Sequence, residues 1–138
     1  MRRTNDLDRF VKAQQTFYDT ALTEIRNGRK QTHWMWYIFP QIQGLGYSET
    51  AKYYAIRDLE EAREYLNHPV LGERLLRITS ELLELESSAA QIFGSPDDLK
   101  LRSSMTLFAA VKDSNPLFEQ ALDKFFNGRK DEKTLDKI

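Results

Sequence analysis

The sequence predicts an all-α protein, and three observations support this fold class. Apolar residues recur at spacings of three and four over several long stretches, the first being "LDRFVKAQQTFYDTALTEI". Residues that favour helix starts, such as Ser-Pro-Asp-Asp, stand directly before these stretches. No stretch alternates apolar and polar residues over a useful strand length, and the short "YIF" run is closed by Pro40. We therefore expect one compact domain of about seven or eight helices over residues 1–138.

The first helix has the longest apolar stripe. Asn5 is its expected cap, and Asn27-Gly28 supplies the left-handed stop. The stripe has one polar member, Gln14, and comprises Leu7, Phe10, Val11, Gln14, Phe17, Ala21, Leu22 and Ile25.

Capping signals define the remaining helices. Ser48 is expected to cap a helix over residues 49–58, and Asp58 with Glu61 forms a capping box for the next. Pro69 is expected at the first position of a helix that runs through residue 86, with His68 in its cap. Further starts are expected at three positions and a short final turn at a fourth: Ser88, Ser95, Asn115 and Thr134.

Composition excludes several classes of protein. The chain has no cysteine, so disulfides and thiolate metal sites are impossible, and two histidines 35 positions apart do not suggest a zinc site. The net charge is −1 with scattered basic residues, so we expect no nucleic-acid partner. The longest apolar run is far shorter than the roughly 20 residues of a membrane span. We expect a cytoplasmic protein with no membrane partner, no cofactor and no bound metal.

The segment "THWMWYIFPQ" holds both tryptophans and one of the two histidines. Seven of the sixteen aromatic residues lie between His33 and Tyr54. One interpretation is an aromatic core, with the histidine hydrogen-bonded to a backbone carbonyl. The other is a pocket in which aromatic rings, amides and a hydroxyl bind a planar, polar ligand such as a nucleobase.

The second interpretation specifies roles for individual residues. Thr32 is a plausible helix cap, which places His33 at a helix N-terminus where the dipole favours a neutral ring that can act as a catalytic base. The ligand-binding residues are then expected to be Trp34, Trp36 and Tyr54 for stacking, and Gln41 and Ser48 for orientation.

The Ser/Thr-rich stretch "KLRSSMT" belongs to the Ser95 helix. Such residues are mediocre helix formers, so they either hydrogen-bond their own backbone and allow close packing, or line a pocket. In the second case Ser104 faces the ligand, and Lys100 or Arg102 holds an anion. The tetrapeptide "NGRK" occurs at 27–30 and again at 127–130, where it is interpreted as a helix stop followed by charges that complement the helix dipole.

The chain also resembles, nearly end to end, a family of small bacterial and fungal proteins known as domain of unknown function 1810. The matching stretches, in order, are "DLDRFVKAQ", "HWMWYIFPQIQGLGYSETAKYYAI", "YLNHPVLGERL", "IFGSPDDLKLRSSMTLF" and "FFNGRKDEKTLD". The resemblance implies a compact, mostly helical fold and no particular activity. Some members are labelled calpastatin, but the packed-core pattern of this sequence does not suit an extended inhibitory segment.

Two functions from different classes remain. The first is a small-molecule site for a planar or nucleotide-like ligand, with hydrolysis as the reaction if the protein is an enzyme. The second is a non-catalytic interaction module whose aromatic residues form core and contact surface, with a second copy of the chain as one partner. A concave site that contains His33 favours the first, and a flat exposed aromatic patch favours the second.

Overall fold

The computed structural model describes residues 7–138, which form nine α-helices and no strand, confirming the all-α prediction. The helices are α1 (Asp8–Arg26), α2 (Met35–Ile38), α3 (Glu49–Tyr53), α4 (Leu59–Asn67), α5 (Leu71–Leu83), α6 (Ala89–Phe93), α7 (Asp97–Ala109), α8 (Leu117–Phe126) and α9 (Glu132–Lys137).

A single core holds these helices together. Helix α5 packs against α1, α4 and α8, while α7 packs against α8, α4, α6 and α9. The largest fully buried side chains in this core include Phe10, Trp34, Tyr65, Phe108 and Phe118. Rings from different helices therefore meet in one interior, and the short helices and loops are arranged around it.

The buried face of α1 follows the predicted stripe except at one position. Tyr18 is buried, whereas Phe17, which the spacing placed inside, is 44% exposed. Gln14 is buried, and its Nε2 donates to the Tyr65 hydroxyl at 2.9 Å and to the Tyr37 carbonyl at 2.8 Å. Its Oε1 has no hydrogen-bond partner among residues 7–138. The predicted cap Asn5 lies outside the described residues.

Helix α3 ends earlier than predicted. It stops at Tyr53 rather than continuing to residue 58, and the chain then runs extended beside residues 41–43. Ile56 N donates to Gln41 O, and Gln43 N donates to Ile56 O, each at 2.8 Å. Arg9 of α1 fixes the same stretch, with Nε on Tyr53 O at 2.7 Å and Nη2 on Ala55 O at 2.8 Å. These tertiary hydrogen bonds replace those of a longer helix.

Most of the predicted caps are present. Ser48, Asp58 and Ser88 each accept a backbone N–H three residues ahead, and Ser88 forms a complete capping box with Gln91. The box predicted for Asp58 is incomplete, because the Glu61 side chain accepts the N–H of Arg57 instead. His68 Nδ1 accepts the N–H groups of residues 70 and 71 and so caps α5, as predicted. Ser95 does not cap α7, whose N-cap position is the following proline.

Candidate functional site

The two tryptophans of "THWMWYIFPQ" lie in different environments. Trp34 is fully buried in the core, with its indole edge-to-face on Phe93 at 6.3 Å. Trp36, two positions later in the single-turn helix α2, is only partly buried and lines a surface cleft. The segment is therefore part core and part site.

A buried carboxylate positions this segment. Glu24 of α1 accepts four hydrogen bonds: from the backbone N–H groups of Gln31 (2.7 Å) and Thr32 (3.0 Å), the Thr32 hydroxyl (2.8 Å) and the indole N–H of Trp34 (2.8 Å). Burial raises the pKa of Glu24, but these four bonds outweigh it, so the pKa lies below its ordinary value. Thr32 thus binds Glu24 instead of capping a helix, which corrects that prediction.

The cleft beside Trp36 has a volume of about 1070 Å³. Its walls come from three parts of the chain: α2 with the loop after it, the first turns of α7, and the segment that joins α8 to α9 together with the start of α9. The lining residues are Trp36, Gln41, Leu45, Gly46, Pro96, Leu99, Lys100, Arg102, Ser103, Gly128, Arg129, Lys130, Asp131, Glu132, Lys133 and Leu135.

Cationic side chains dominate the charge of this cleft, with five Lys or Arg residues against two carboxylates. Lys100 Nζ lies 4.0 Å from the centre of the Trp36 ring and 3.2 Å from Asp97. Among residues 7–138, Arg129 and Lys133 form no ion pair within 4.0 Å. The cleft therefore carries positive charge that its own carboxylates do not neutralise.

The cleft edge near Trp36 is tied to α1 through Asp97. This carboxylate binds Lys100 and also Lys30 Nζ, at 2.9 Å, so it joins the loop after α1 to α7. Burial raises the pKa of Asp97, but the hydrogen bonds and charges of both lysines outweigh it and lower the pKa overall. Asp97 remains ionised and holds Lys100 against the indole.

The opposite edge is held by the Ser/Thr-rich stretch of α7. Ser103 Oγ donates to Asp131 at 3.0 Å, and Thr106 Oγ1 accepts the Asp131 N–H at 2.9 Å while donating to the Arg102 carbonyl. Asp131 also caps α9 through Thr134. The hydroxyls of Ser103 and Thr106 thus attach α9 to α7. The same two hydroxyls also form hydrogen bonds to the backbone of α7.

A second, more enclosed compartment of about 320 Å³ is lined by the loop after α2 and by α3. It shares Trp36, Gln41, Leu45 and Gly46 with the cleft, so the two spaces have a common wall. The rest of its lining is Ile42, Gln43, Gly44, Tyr47, Ala51, Lys52, Tyr54 and Ala55. Burial raises the pKa of Tyr54, whose hydroxyl therefore stays neutral.

The structure brings some predicted site residues together. Trp36, Gln41 and Lys100 line the cleft, and Trp36, Gln41 and Tyr54 line the enclosed compartment. The side chain of Ser48 accepts the Ala51 N–H as the cap of α3, and Ser48 lines neither space.

The other predicted site residues lie elsewhere. His33 is exposed and lines neither space. Trp34 and Ser104 are fully buried outside both linings. Ser104 Oγ has no hydrogen-bond partner among residues 7–138.

Sequence reasoning missed the cations of the C-terminal segment. Arg129, Lys130 and Lys133 belong to the second "NGRK" and its continuation. The stop itself is present, since Asn127 is left-handed at φ 55°. The two lysines differ in burial and partner: the Lys30 side chain is 7% exposed and lies 2.9 Å from Asp97, whereas Lys130 lines the cleft and lies 3.6 Å from Glu119. The repeated tetrapeptide points to these cations in the sequence, but only the fold shows that the second copy lines the cleft and the first does not.

Two further observations concern the described part of the chain. Residues 7–138 contain no group of three His, Asp or Glu side chains placed to hold a metal ion. Within the same range, no helix has the length and apolar character needed to cross a membrane.

Comparison with known proteins shows the family. A family model described as "Protein of unknown function (DUF1810)" matches residues 4–138. The crystal structure of the conserved hypothetical protein Rv1873 from Mycobacterium tuberculosis is similar, with 48% sequence identity and a TM-score of 0.93 over 95% of this chain and 94% of that chain. No curated protein matches the chain. The chain therefore belongs to the DUF1810 family, as its sequence indicated.

Proposed function

We propose that the protein binds a planar, anionic small molecule of the nucleotide type at the cleft beside Trp36. The observation that carries this proposal is the surplus of cationic side chains in a concave site that also has an aromatic wall. Five Lys or Arg residues line the cleft against two carboxylates. Lys100, Arg102 and Lys130 are ion-paired, so the cations that favour an anionic ligand are chiefly Arg129 and Lys133. A free metabolite fits the 1070 Å³ of the cleft, whose size lies just above the range of about 300–1000 Å³ for small-molecule sites.

The proposal concerns binding and assigns no catalytic residue. His33, the predicted base, lies outside the lining of the cleft. Asp131 already accepts hydrogen bonds from Ser103 and Thr134. Hydrolysis of the ligand therefore has no positioned general base among the residues that the sequence selected.

A thermal-shift and calorimetric screen with nucleoside mono-, di- and triphosphates tests the proposal. A ligand present at about 100 times its Kd should stabilise the protein by about 2.7 kcal/mol, and affinity should fall as salt rises. Lys133→Glu should weaken binding by reversing one unpaired cation. Lys112→Glu is the matched control, because Lys112 is exposed and lies outside the cleft.

Failure of every phosphate-bearing compound to shift the melting temperature would contradict the proposal. Equal loss in the two lysine variants would contradict it as well, since only one of these residues lines the cleft. Equal loss would mean that long-range charge, rather than this cleft, governs the interaction.

The rival function, a protein-interaction module, has one supporting observation. Tyr47 and Tyr53 are 84% and 58% exposed, which is unusual for large aromatic side chains. Size-exclusion chromatography with light scattering, on the wild type and on Tyr47→Ser with Tyr53→Ser, tests whether these rings mediate self-association. A concentration-dependent dimer that the double variant abolishes would favour the rival.

A further inference from the structure

We infer that the cleft and the enclosed compartment form one two-part site, in which the compartment takes the uncharged ring and the cleft takes the phosphates. This inference rests on the proposed function, because it assigns the two ends of that ligand. The first reason is adjacency: four residues, namely Trp36, Gln41, Leu45 and Gly46, line both spaces. A single small molecule can therefore contact both.

The two spaces differ in charge as the two ends of a nucleotide do. The cleft has seven ionisable Lys, Arg, Asp or Glu residues in its lining, whereas the compartment has one, the exposed Lys52. A phosphate keeps more of its hydration in the open cleft than in the compartment, and the cations of the cleft attract it. A neutral ring has no charge to desolvate, so it enters the compartment at little cost in free energy. At about 320 Å³ the compartment accepts a ring system and leaves little room for a chain of phosphates.

Trp36 provides the second reason. The sequence suggests that a ligand ring stacks on the Trp36 indole, but Lys100 Nζ already lies 4.0 Å from the centre of the indole ring. Lys100 itself lines the cleft and is held in place by Asp97 at 3.2 Å. A ring that stacked on that face would have to displace an ion-paired lysine, so the compartment is the better place for the ring.

Gln41 provides the third reason. Its side-chain Nε2 is buried and has no hydrogen-bond partner among residues 7–138. Its backbone is fixed, because Gln41 O accepts the N–H of Ile56. A buried amide donor without a partner is costly, and Gln41 is one of the residues that line both spaces. A ring nitrogen or carbonyl oxygen would satisfy it, so we assign Gln41 as the residue that selects the ring.

The test uses probes that separate the two ends: inorganic triphosphate, uncharged nucleosides and the nucleoside triphosphates. We expect inorganic triphosphate to bind through the cleft alone and at least one nucleoside triphosphate to bind at least about tenfold more tightly, since that factor corresponds to about 1.4 kcal/mol. Ala55→Phe, which fills the compartment, should remove the advantage of the ring and leave the Kd of inorganic triphosphate unchanged. Ala90→Phe is the matched control, because Ala90 is exposed on α6 and lines neither space.

Gln41→Leu keeps the approximate volume and removes the amide. It should reduce discrimination among nucleobases while inorganic triphosphate still binds. If nucleoside triphosphates bind no better than inorganic triphosphate, or if both variants keep the full advantage of the ring, the two-part site is wrong while the cleft proposal stands. If neither inorganic triphosphate nor any nucleotide binds, the proposed function itself fails.

Discussion

The carboxylate of Glu24 offers the sharpest test of how this fold is held together. Glu24→Ala removes one acceptor group that serves four donors, three of them on residues 31 and 32 and the fourth on Trp34. The donors differ in their access to water. Gln31 and Thr32 are exposed residues, whereas Trp34 is fully buried.

The loss of stability expected for Glu24→Ala depends on how far each donor can reach water. The indole N–H of Trp34 cannot reach solvent without movement of the core, so its loss of a partner costs about 1–3 kcal/mol. The three donors on Gln31 and Thr32 can be rehydrated, so each loses only the net value of a typical exposed hydrogen bond, about 0.5–1 kcal/mol. We therefore expect Glu24→Ala to lower the free energy of unfolding by about 3–5 kcal/mol, a large share of a typical total of about 5–15 kcal/mol.

Urea denaturation, followed by circular dichroism at pH 7, measures the change. Glu24→Gln is the informative companion, because an amide oxygen can still accept from Trp34 while the amide NH₂ can donate to the Thr32 hydroxyl. It should cost only about 1–2 kcal/mol, the difference between charged and neutral hydrogen bonds. Glu86→Ala, an exposed glutamate outside this cluster, is the control and should change stability by less than about 0.5 kcal/mol.

The pH dependence provides an independent check. Because the folded-state pKa of Glu24 lies below its ordinary value of 4.5, the carboxylate contributes stability at neutral pH, and that stability is lost as the pH falls through 4.5 and then through the folded pKa. The difference between wild type and Glu24→Gln should therefore shrink on acidification. A Glu24→Ala protein as stable as the Glu86→Ala control, or a difference that grows as the pH falls, would refute the assignment of Glu24 as the anchor of this segment.

Two other substitutions test how the helices are docked. An alanine Cβ at Gly72 would lie 2.0 Å from the carbonyl oxygen of Leu66, so Gly72→Ala should force α5 away from α4 and destabilise the protein by about 1–3 kcal/mol or more in urea denaturation, opposite to the usual gain from replacing a helical glycine. An unchanged or higher unfolding midpoint would contradict this close approach. Asp131→Ala removes the cap bond to Thr134 and the bond to α7, so amide hydrogen exchange over residues 132–137 should accelerate while the rest of the chain keeps its protection. Unchanged protection of α9 would mean that apolar packing alone holds it.

Local signals in the sequence predict much of this fold because they act within a few residues. Ser48, Asp58 and Ser88 cap the helices that follow them, as their side chains and spacing indicate. The errors arise where a distant residue competes. Helix α3 stops early because Ile56 pairs with residues 41–43, and Arg9, about 45 positions away, binds the carbonyls of Tyr53 and Ala55. No local pattern in the sequence indicates either set of partners.

The candidate site was less predictable, for a related reason. The aromatic segment drew attention to Trp36 and Gln41, which do line the two spaces, but the same reasoning selected Trp34, which is fully buried. Composition cannot separate the two tryptophans, since their environments depend on which side of a single helical turn faces α1. Likewise, only the docking of α9 on α7 brings Lys133 and its neighbours to the cleft, nearly 100 positions from Trp36.

The burial of Trp34 nevertheless has a consequence for the cleft. Trp34 is anchored to Glu24, and Trp36 follows it by two residues in α2, so the indole that lines the cleft is carried on a turn whose position the core sets. Lys30, in the same loop, reaches Asp97, which holds Lys100 over Trp36. The residues between α1 and α2 thus position both members of the Lys100–Trp36 pair, without lining the cleft themselves. A substitution at Trp34 or Glu24 that weakens ligand binding is therefore no sign of ligand contact, and such variants need their stability measured before their affinity is interpreted.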